Sequence, residues 1–324
     1  MKKLTFKKTI SLGLCIISLL GLPILNINQA MAAPPMAKFS APAFHRFMLG
    51  DFEITVINDG TDYLSDKLLQ QDTDKTNKIL AKTFLKSPVE TSFNAYLIHT
   101  GEKLILIDTG GGQLKGKRLG NLLANIKVSG YQTSDIDEVY ITHFHSDHLG
   151  GLIFDNQRAF PNAIVRADKN ESDYWLSQDN MQKAPKNKQQ NFVEAQQILA
   201  PYIKEKKYLP FNGNTQLQNG ISAISTYGHT KGHTSYMVQS KGKEMLVTGD
   251  LVHVISVQTV SPKVTIDFDS SPQQAYEQRK HIFDKVADKD ILIAGAHIPF
   301  PSVGHLRSQG ESYEWIPLNY TRMY

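Results

Sequence analysis

The run Thr142-His143-Phe144-His145-Ser146-Asp147-His148-Leu149-Gly150-Gly151 constrains this chain more than any other stretch. Four metal ligands by type fall within its positions 143–148. His143 and His145 are two apart, so on an extended segment both imidazoles point to one side. Asp147 and His148 follow as the chain turns and aim at a second, neighbouring point. Gly150 and Gly151 give tight backbone where a side chain would obstruct. The preceding Glu138-Val139-Tyr140-Ile141 reads as a short buried strand, so the ligands sit at a strand's end, where α/β folds place their chemistry.

Three later segments repeat that arrangement. His229 lies in Tyr227-Gly228-His229-Thr230-Lys231-Gly232-His233, after the strand-like Ile221–Ser225. Asp250 follows Met245-Leu246-Val247, and His297 follows Ile291-Leu292-Ile293-Ala294. Each candidate comes from the end of an apolar run and has a Gly close by. His143, His145, Asp147, His148, His229, Asp250 and His297 are too many for one tetrahedral ion. They suit two metals sharing a bridging carboxylate. Spacing alone does not choose between His229 and His233.

These pieces, with longer strings, carry a resemblance. The chain resembles the metallo-β-lactamase superfamily and, within it, the methyl parathion hydrolase group and related binuclear-metal lactonases and esterases. The likeness runs from about Phe44 to Tyr320. It includes Met48-Leu49-Gly50-Asp51-Phe52-Glu53, Pro88-Val89-Glu90-Thr91-Ser92, Leu106-Ile107-Asp108-Thr109-Gly110, Val165-Arg166-Ala167-Asp168, Asp173-Tyr174-Trp175-Leu176-Ser177, Gly249-Asp250-Leu251-Val252-His253-Val254 and Gly304-His305-Leu306-Arg307.

The resemblance implies an αββα sandwich in which His143, His145 and His229 hold one metal. Asp147, His148 and His297 then hold the other, and Asp250 bridges them. His233 becomes a hydrogen-bonding loop residue, and Asp108 orients the metal loop from behind. Nitrogen and carboxylate donors make Zn²⁺ the first choice, with Mn²⁺, Co²⁺ or Fe²⁺ as alternatives. Two such ions trap a bridging water, lower its pKa and let the hydroxide attack a carbonyl or phosphoryl group. Asp147, Asp250 and His253 are the catalytic candidates. His253 stands where lactonases of the superfamily carry a Tyr that touches the substrate oxygen. Trp175 and Phe192 match aromatic pocket positions, whereas Lys115 replaces an expected aromatic. Relatives carry prolines at the Tyr227 and Lys231 positions, so this loop is expected to be looser. A homodimer is also implied by the relatives.

Composition matters mainly through the N-terminus. Lys2, Lys3, Lys7 and Lys8 precede an apolar stretch from Ile10 to Leu25, and Ala30-Met31-Ala32 offers a small-residue cleavage site. Residues 1–32 therefore read as a cleaved signal peptide, residues 33–47 as an extended arm, and residues 48–324 as one catalytic domain. The expected location is periplasmic or secreted, with no membrane association after cleavage. The formal charge of +4 rests on 35 Lys and Arg against 31 Asp and Glu. Setting aside the four leader lysines leaves 31 of each, which argues against a nucleic-acid partner. The only cysteine, Cys15, also lies in the leader, so neither a disulfide nor a thiolate ligand is expected after it.

Elsewhere the pattern is strand and helix in alternation. Strands are expected at 52–58, 93–99, 104–107, 139–142, 163–166, 221–225, 236–239, 245–248 and 291–294. Helices are expected at 119–128, 171–177, 192–202 and 273–286, with a polar linker at 178–190. The reading is an exported binuclear hydrolase of small esters or lactones, with phosphotriesters as a further substrate class. The enzymatic alternative is an oxidoreductase or dioxygenase of the same superfamily. It is weakened because flavin-linked diiron members carry Glu at the His145 position. A non-catalytic ligand-binding member is the third reading, and the intact ligand set argues against it.

Overall fold

The computed structural model describes residues 43–321 and 323, together with 33, 35 and 36. The leader read in residues 1–32 lies outside the described residues. The first half of the domain runs β1 (Phe44–Leu49), β2 (Phe52–Leu64), α1 (Thr73–Lys82), β3 (Val89–His99), β4 (Leu104–Ile107), α2 (Leu122–Val128), β5 (Glu138–Tyr140), α3 (Ser146–Leu149), β6 (Ile153–Phe154), β7 (Gln157–Arg158), β8 (Ile164–Arg166), α4 (Lys169–Trp175), α5 (Gln178–Lys183) and α6 (Lys186–Lys204). The second half runs β9 (Thr215–Gln218), β10 (Ile221–Ser225), β11 (Thr234–Ser240), β12 (Lys243–Val247), α7 (Ile255–Gln258), α8 (Pro272–Val286), β13 (Ile291–Ala294), β14 (Val303–Gln309) and β15 (Ser312–Pro317).

Besides a two-stranded ribbon in which β6 and β7 pair apart, two large sheets result, ordered β1-β2-β3-β4-β5-β8 and β15-β14-β13-β12-β11-β10-β9. The strand period of two explains how they stack. In β4, Ile105 and Ile107 face the second sheet, packing in one core with Met245, Val247, Leu292 and Ala294. Leu104 and Leu106 face the other way, into a core shared with Leu122, Ile126, Phe192 and Ile198 of the helices. On the far side, Leu246 and Ile293 pack on Ile282, Phe283 and Val286 of α8. Helix, sheet, sheet and helix follow in layers. Fully buried strands such as Leu104–Ile107 read as continuous apolar runs for this reason.

Both sheets carry a parallel pair at their centre, β4 with β5 and β12 with β13. The C-terminal ends of these strands release the loops holding Asp108, His143, Asp250 and His297. Cross-sheet hydrogen bonds tie these loops together. Tyr236 Oη donates to Ile141 O at 2.7 Å, and Thr234 N donates to Thr142 O at 3.0 Å. Asn94 of β3 donates to Ala296 O and Ile298 O on either side of His297.

Several elements differ from the sequence reading. Residues 44–47, expected within an extended arm, pair in β1 with register Phe44↔Ile57, because Phe47 and Leu49 bury into the inter-sheet core. β2 continues past a bulge at Asn58/Gly60 to Leu64, although its second half is polar. The linker expected at 178–190 instead forms α5 and the start of α6. Its outward faces need no apolar residues, so it resembles a loop in composition. The helix expected from Leu119 begins at Leu122, after a turn at Gly120. Among the described residues no helix is long and apolar enough to cross a membrane.

Candidate metal centre

The seven expected ligands converge at the ends of these strands. His143, His145, His229 and Asp250 offer donor atoms to one point, and Asp147, His148 and His297 to another. The Asp250 carboxylate lies between them. Its Oδ2 is 3.6 Å from His143 Nε2 and 3.4 Å from His229 Nε2. Its Oδ1 is 3.1 Å from His148 Nε2 and 3.2 Å from His297 Nε2. Asp147 Oδ2 is 3.6 Å from both His148 Nε2 and His297 Nε2. Donors about 2.0–2.2 Å from one ion at tetrahedral angles lie roughly 3.3–3.6 Å apart, so the spacing fits.

Hydrogen bonds on the outer nitrogens orient the rings. His148 Nδ1 donates to Asp108 Oδ2 at 2.9 Å, and His229 Nδ1 to Asp269 Oδ1 at 2.8 Å. His297 Nδ1 donates to the Ser92 carbonyl at 3.2 Å. The Thr142 hydroxyl donates to Asp108, which leaves it to accept from His143 Nδ1 at 3.1 Å. In all four rings the inward Nε2 is then a lone pair. His148 Nε2 and Asp250 Oδ1 face each other buried and without a hydrogen-bond partner. Likewise His145 Nδ1 lies 2.9 Å from His143 Nε2 and 3.1 Å from His229 Nε2. Facing lone pairs repel unless a cation sits between them, so the cluster fits divalent ions.

Electrostatics agree with a cation-binding cluster. Burial, reinforced by neighbouring imidazoles, holds His143 and His145 well below the usual histidine range. Burial also opposes charge on His148 and His297, but the surrounding carboxylates, Asp250 first and then Asp147, with Asp108 for His148, together outweigh it and draw both upward, so these rings attract a proton or an ion in its place. Burial pushes Asp147 up, yet His148, His297 and Lys115 hold its carboxyl down at about 2. Asp250 is ionised for the same kind of reason, held well below the carboxylate range by His148 and His297.

His233 is not among the converging donors. Its Nδ1 donates to Thr226 O at 3.1 Å, and its Nε2 accepts from Asp250 N at 3.0 Å. Gly249 must be glycine to permit this. It has φ +54°, and a Cβ there would come within 2.7 Å of His233 Nε2. Asp108, at φ +61°, supports both His148 and Thr142 rather than facing an ion. The 227–233 loop, lacking its expected prolines, is held by polar contacts. Tyr227 Oη donates to Asp168 Oδ2, and Gly232 N donates to Glu171 Oε2.

Above the centre opens a cavity of about 370 Å³, with His145, Asp147, Asp250, His253 and His297 in its wall. His253 Nε2 is 3.1 Å from Asp250 Oδ2, and neither ring nitrogen of His253 has a hydrogen-bond partner. It differs in this from the rings fixed by an outer acceptor. Leu64, Leu68, Phe93, Leu119 and Phe268 supply apolar wall, and Lys115 lies among the polar residues. Lys115 belongs to a surface segment, Gly112–Arg118, in which no residue is buried. One carboxylate holds both ends of that segment. Asp59 accepts from Gly111 N, Gly120 N and Leu122 N at 2.8–3.0 Å.

Trp175 and Phe192 do not line this cavity, which corrects the pocket role expected for them. Both are buried in the helix-side core, with ring centroids 4.6 Å apart. Trp175 packs edge-on against His145 and donates its Nε1–H to Glu171 Oε1. That buried Glu171 also accepts from Phe144 N and Gly232 N, so it joins the two histidine loops. Sequence reasoning missed Glu171, Asp269 and Phe268. A carboxylate behind a ligand histidine is a general expectation, but nothing in sequence marks which distant acid serves it.

Comparison with known proteins adds a family. A family model described as the metallo-beta-lactamase superfamily matches residues 91–297. The solved structure of AbOPH, a hydrolase in the beta-lactamase superfamily, is similar at TM-score 0.84 and 35% identity, covering 88% of this chain and 100% of that one. AidC, a dizinc quorum-quenching lactonase solved with the product N-hexanoyl-L-homoserine, is similar at TM-score 0.80 and 26% identity, covering 86% and 99%. An atrochrysone carboxyl ACP thioesterase of Passalora fulva is 29% identical over 160 residues, 49% of this chain. The chain spans 38% of that thioesterase's length.

Proposed function

The chain belongs to the metallo-β-lactamase superfamily, and from that premise we propose that it is a binuclear metal-dependent hydrolase of small carboxylic esters and lactones. One observation carries the reading. The two oxygens of Asp250 face two separate sets of imidazoles at the floor of an open cavity. His143, His145 and His229 would hold one ion, and Asp147, His148 and His297 the other, with Asp250 shared. Zinc is the first choice for these donors. Two such ions supply Lewis acidity and a water of near-neutral pKa.

The chain's own residues do the rest. Asp108, Asp269 and the Ser92 carbonyl keep the ligand rings in one tautomer and orientation. His253, whose ring lies in the cavity wall with Nε2 beside Asp250, is on this reading the residue that meets the substrate or leaving-group oxygen. Leu64, Phe93 and Phe268 take the apolar body of the substrate and exclude water from that side. Phosphotriesters are a secondary class on this reading, because Lys115 occupies the wall where an aromatic ring would grip an aryl leaving group. The leader-like residues 1–32 support action outside the cytoplasm. The test is a panel of a lactone, an aryl acetate and a phosphotriester, assayed on metal-replete and chelator-treated protein. Equal rates in the two preparations would defeat the reading.

A further inference from the structure

Lys115 stands out among the charges of the cavity. Asp62 is paired with Arg118 at 2.7 Å. Asp147 and Asp250 face the imidazoles of the metal centre. Among the described residues Lys115 has no carboxylate within ion-pair distance, yet it is exposed and lies in the cavity wall. Its position is restricted by the neighbouring backbone. A Cβ on Gly111 would come within 2.6 Å of Lys115 Cγ and 2.9 Å of its Cβ. The aliphatic stem therefore packs on bare backbone, which narrows the region the ammonium sweeps. Lys115 shares the cavity wall with Asp147 of the floor. With Asp147 and Asp250 committed to the imidazoles of the floor and Asp62 to Arg118, Lys115 is a cation of the wall without a carboxylate partner among the described residues.

We propose that Lys115 receives a second, anionic group of the substrate, so that the preferred substrates are esters or lactones carrying a carboxylate away from the scissile bond. Leu64, Leu68, Phe93 and Phe268 would take the short hydrocarbon spacer between the two polar ends. The cavity of about 370 Å³ suits a molecule of that size. This inference rests on the ester and lactone reading above. An exposed charge pair gives a modest preference, roughly three- to five-fold at low ionic strength, and salt weakens it.

The test compares two esters with the same leaving group, para-nitrophenyl butyrate and the mono-para-nitrophenyl ester of glutarate, on the metal-loaded full chain. The reading is the anionic-to-neutral ratio of kcat/KM, corrected for the esters' own reactivity with hydroxide. Lys115→Met should lower the ratio by roughly three- to five-fold, Lys115→Arg should keep it, and Lys115→Glu should push it below the Met variant. High salt should erase the difference between wild type and Lys115→Met. A second measurement avoids turnover: glutarate should bind more tightly than butyrate by calorimetry, and Lys115→Met should remove that advantage. Ratios that are the same in wild type and Lys115→Met in both measurements make Lys115 a merely solvated charge and overturn the inference. If neither ester is hydrolysed while the glutarate advantage follows Lys115, the hydrolase reading fails and the anion recognition stands.

Discussion

His233 Nε2 lies 3.0 Å from the backbone nitrogen of Asp250 and accepts its hydrogen bond. Only the neutral tautomer with a proton on Nδ1 can do this, and burial, followed by the nearby His229, pushes the His233 pKa down to about 3. The ring thus sets where the shared carboxylate starts from, without facing an ion. His233→Ala should keep two metals per chain at saturation but bind them roughly tenfold more weakly. It should also lose about 1–3 kcal/mol of stability, because a buried amide is left unpaired. Metal titration and thermal melts of His233→Ala and His233→Gln check this, with Gln recovering part of both.

Asp250→Ala is the opposite case. It removes the one group that faces both sets of imidazoles. Metal content after dialysis should fall to one equivalent or less, and activity should drop by roughly three orders of magnitude or more. A variant that keeps two tightly bound ions and full activity would rule out a shared carboxylate.

The carboxylates behind the rings should affect the two ions differently. Asp269 supports His229 on one side only, whereas Asp108 supports His148 directly and His143 through Thr142. Asp269→Ala should weaken one binding step by roughly ten- to a hundredfold and leave the other nearer wild type, whereas Asp108→Ala should weaken both. Calorimetric titration with zinc should show two separated steps in Asp269→Ala and a joint loss in Asp108→Ala.

Substitutions at the aromatic positions should divide stability from selectivity. Trp175→Phe removes the Nε1–H donor to buried Glu171 and should cost about 1–3 kcal/mol in unfolding free energy, with the ranking of substrates unchanged. Phe268→Ala removes half-exposed cavity wall and should cost about 1 kcal/mol in binding apolar esters, seen as a several-fold rise in KM with little change in Tm. The reverse pattern would return Trp175 to the pocket.

Chelation should lower Tm, because ions that bind only the folded chain stabilise it by about 4 kcal/mol per site when present at a thousand times Kd. Adding zinc back should restore the melt. For the leader, N-terminal sequencing of the protein from its native host should find a start near Ala33. A start at Met1 in a membrane fraction would place the protein differently.

The metal centre was legible because its chemistry is written in residue types. His and Asp at the ends of apolar strands have few other uses, and local spacing pairs His143 with His145. The central strands were legible for a related reason, since Leu104–Ile107 and Ile291–Ala294 are buried on both faces. What stayed hidden depends on long-range placement. Asp269 meets His229 from 40 positions away, and Phe268 reaches the cavity from the same distant loop. α5 and the first turns of α6 look like a linker, because exposed helix faces are polar. Trp175 and Phe192 were misplaced because an aromatic beside a ligand loop suits the wall of a pocket or the support behind it equally well. The structure puts them behind His145.

The grip of Asp59 on Gly111, Gly120 and Leu122 also bears on how the selectivity of this protein can diversify. The two ends of the intervening loop are fixed by a single carboxylate on β2, and none of the residues from Gly112 to Arg118 is buried. Gly112 is constrained, since a Cβ there would come within 2.5 Å of Gly150 O. Gly116, at φ +72° and ψ −158°, also favours glycine. Positions 113–115, 117 and 118 carry no such burden, so they form a cassette that sequence drift can rewrite without cost to the sandwich or the ligand rings. New selectivities should accumulate there first, while the catalytic floor stays as it is.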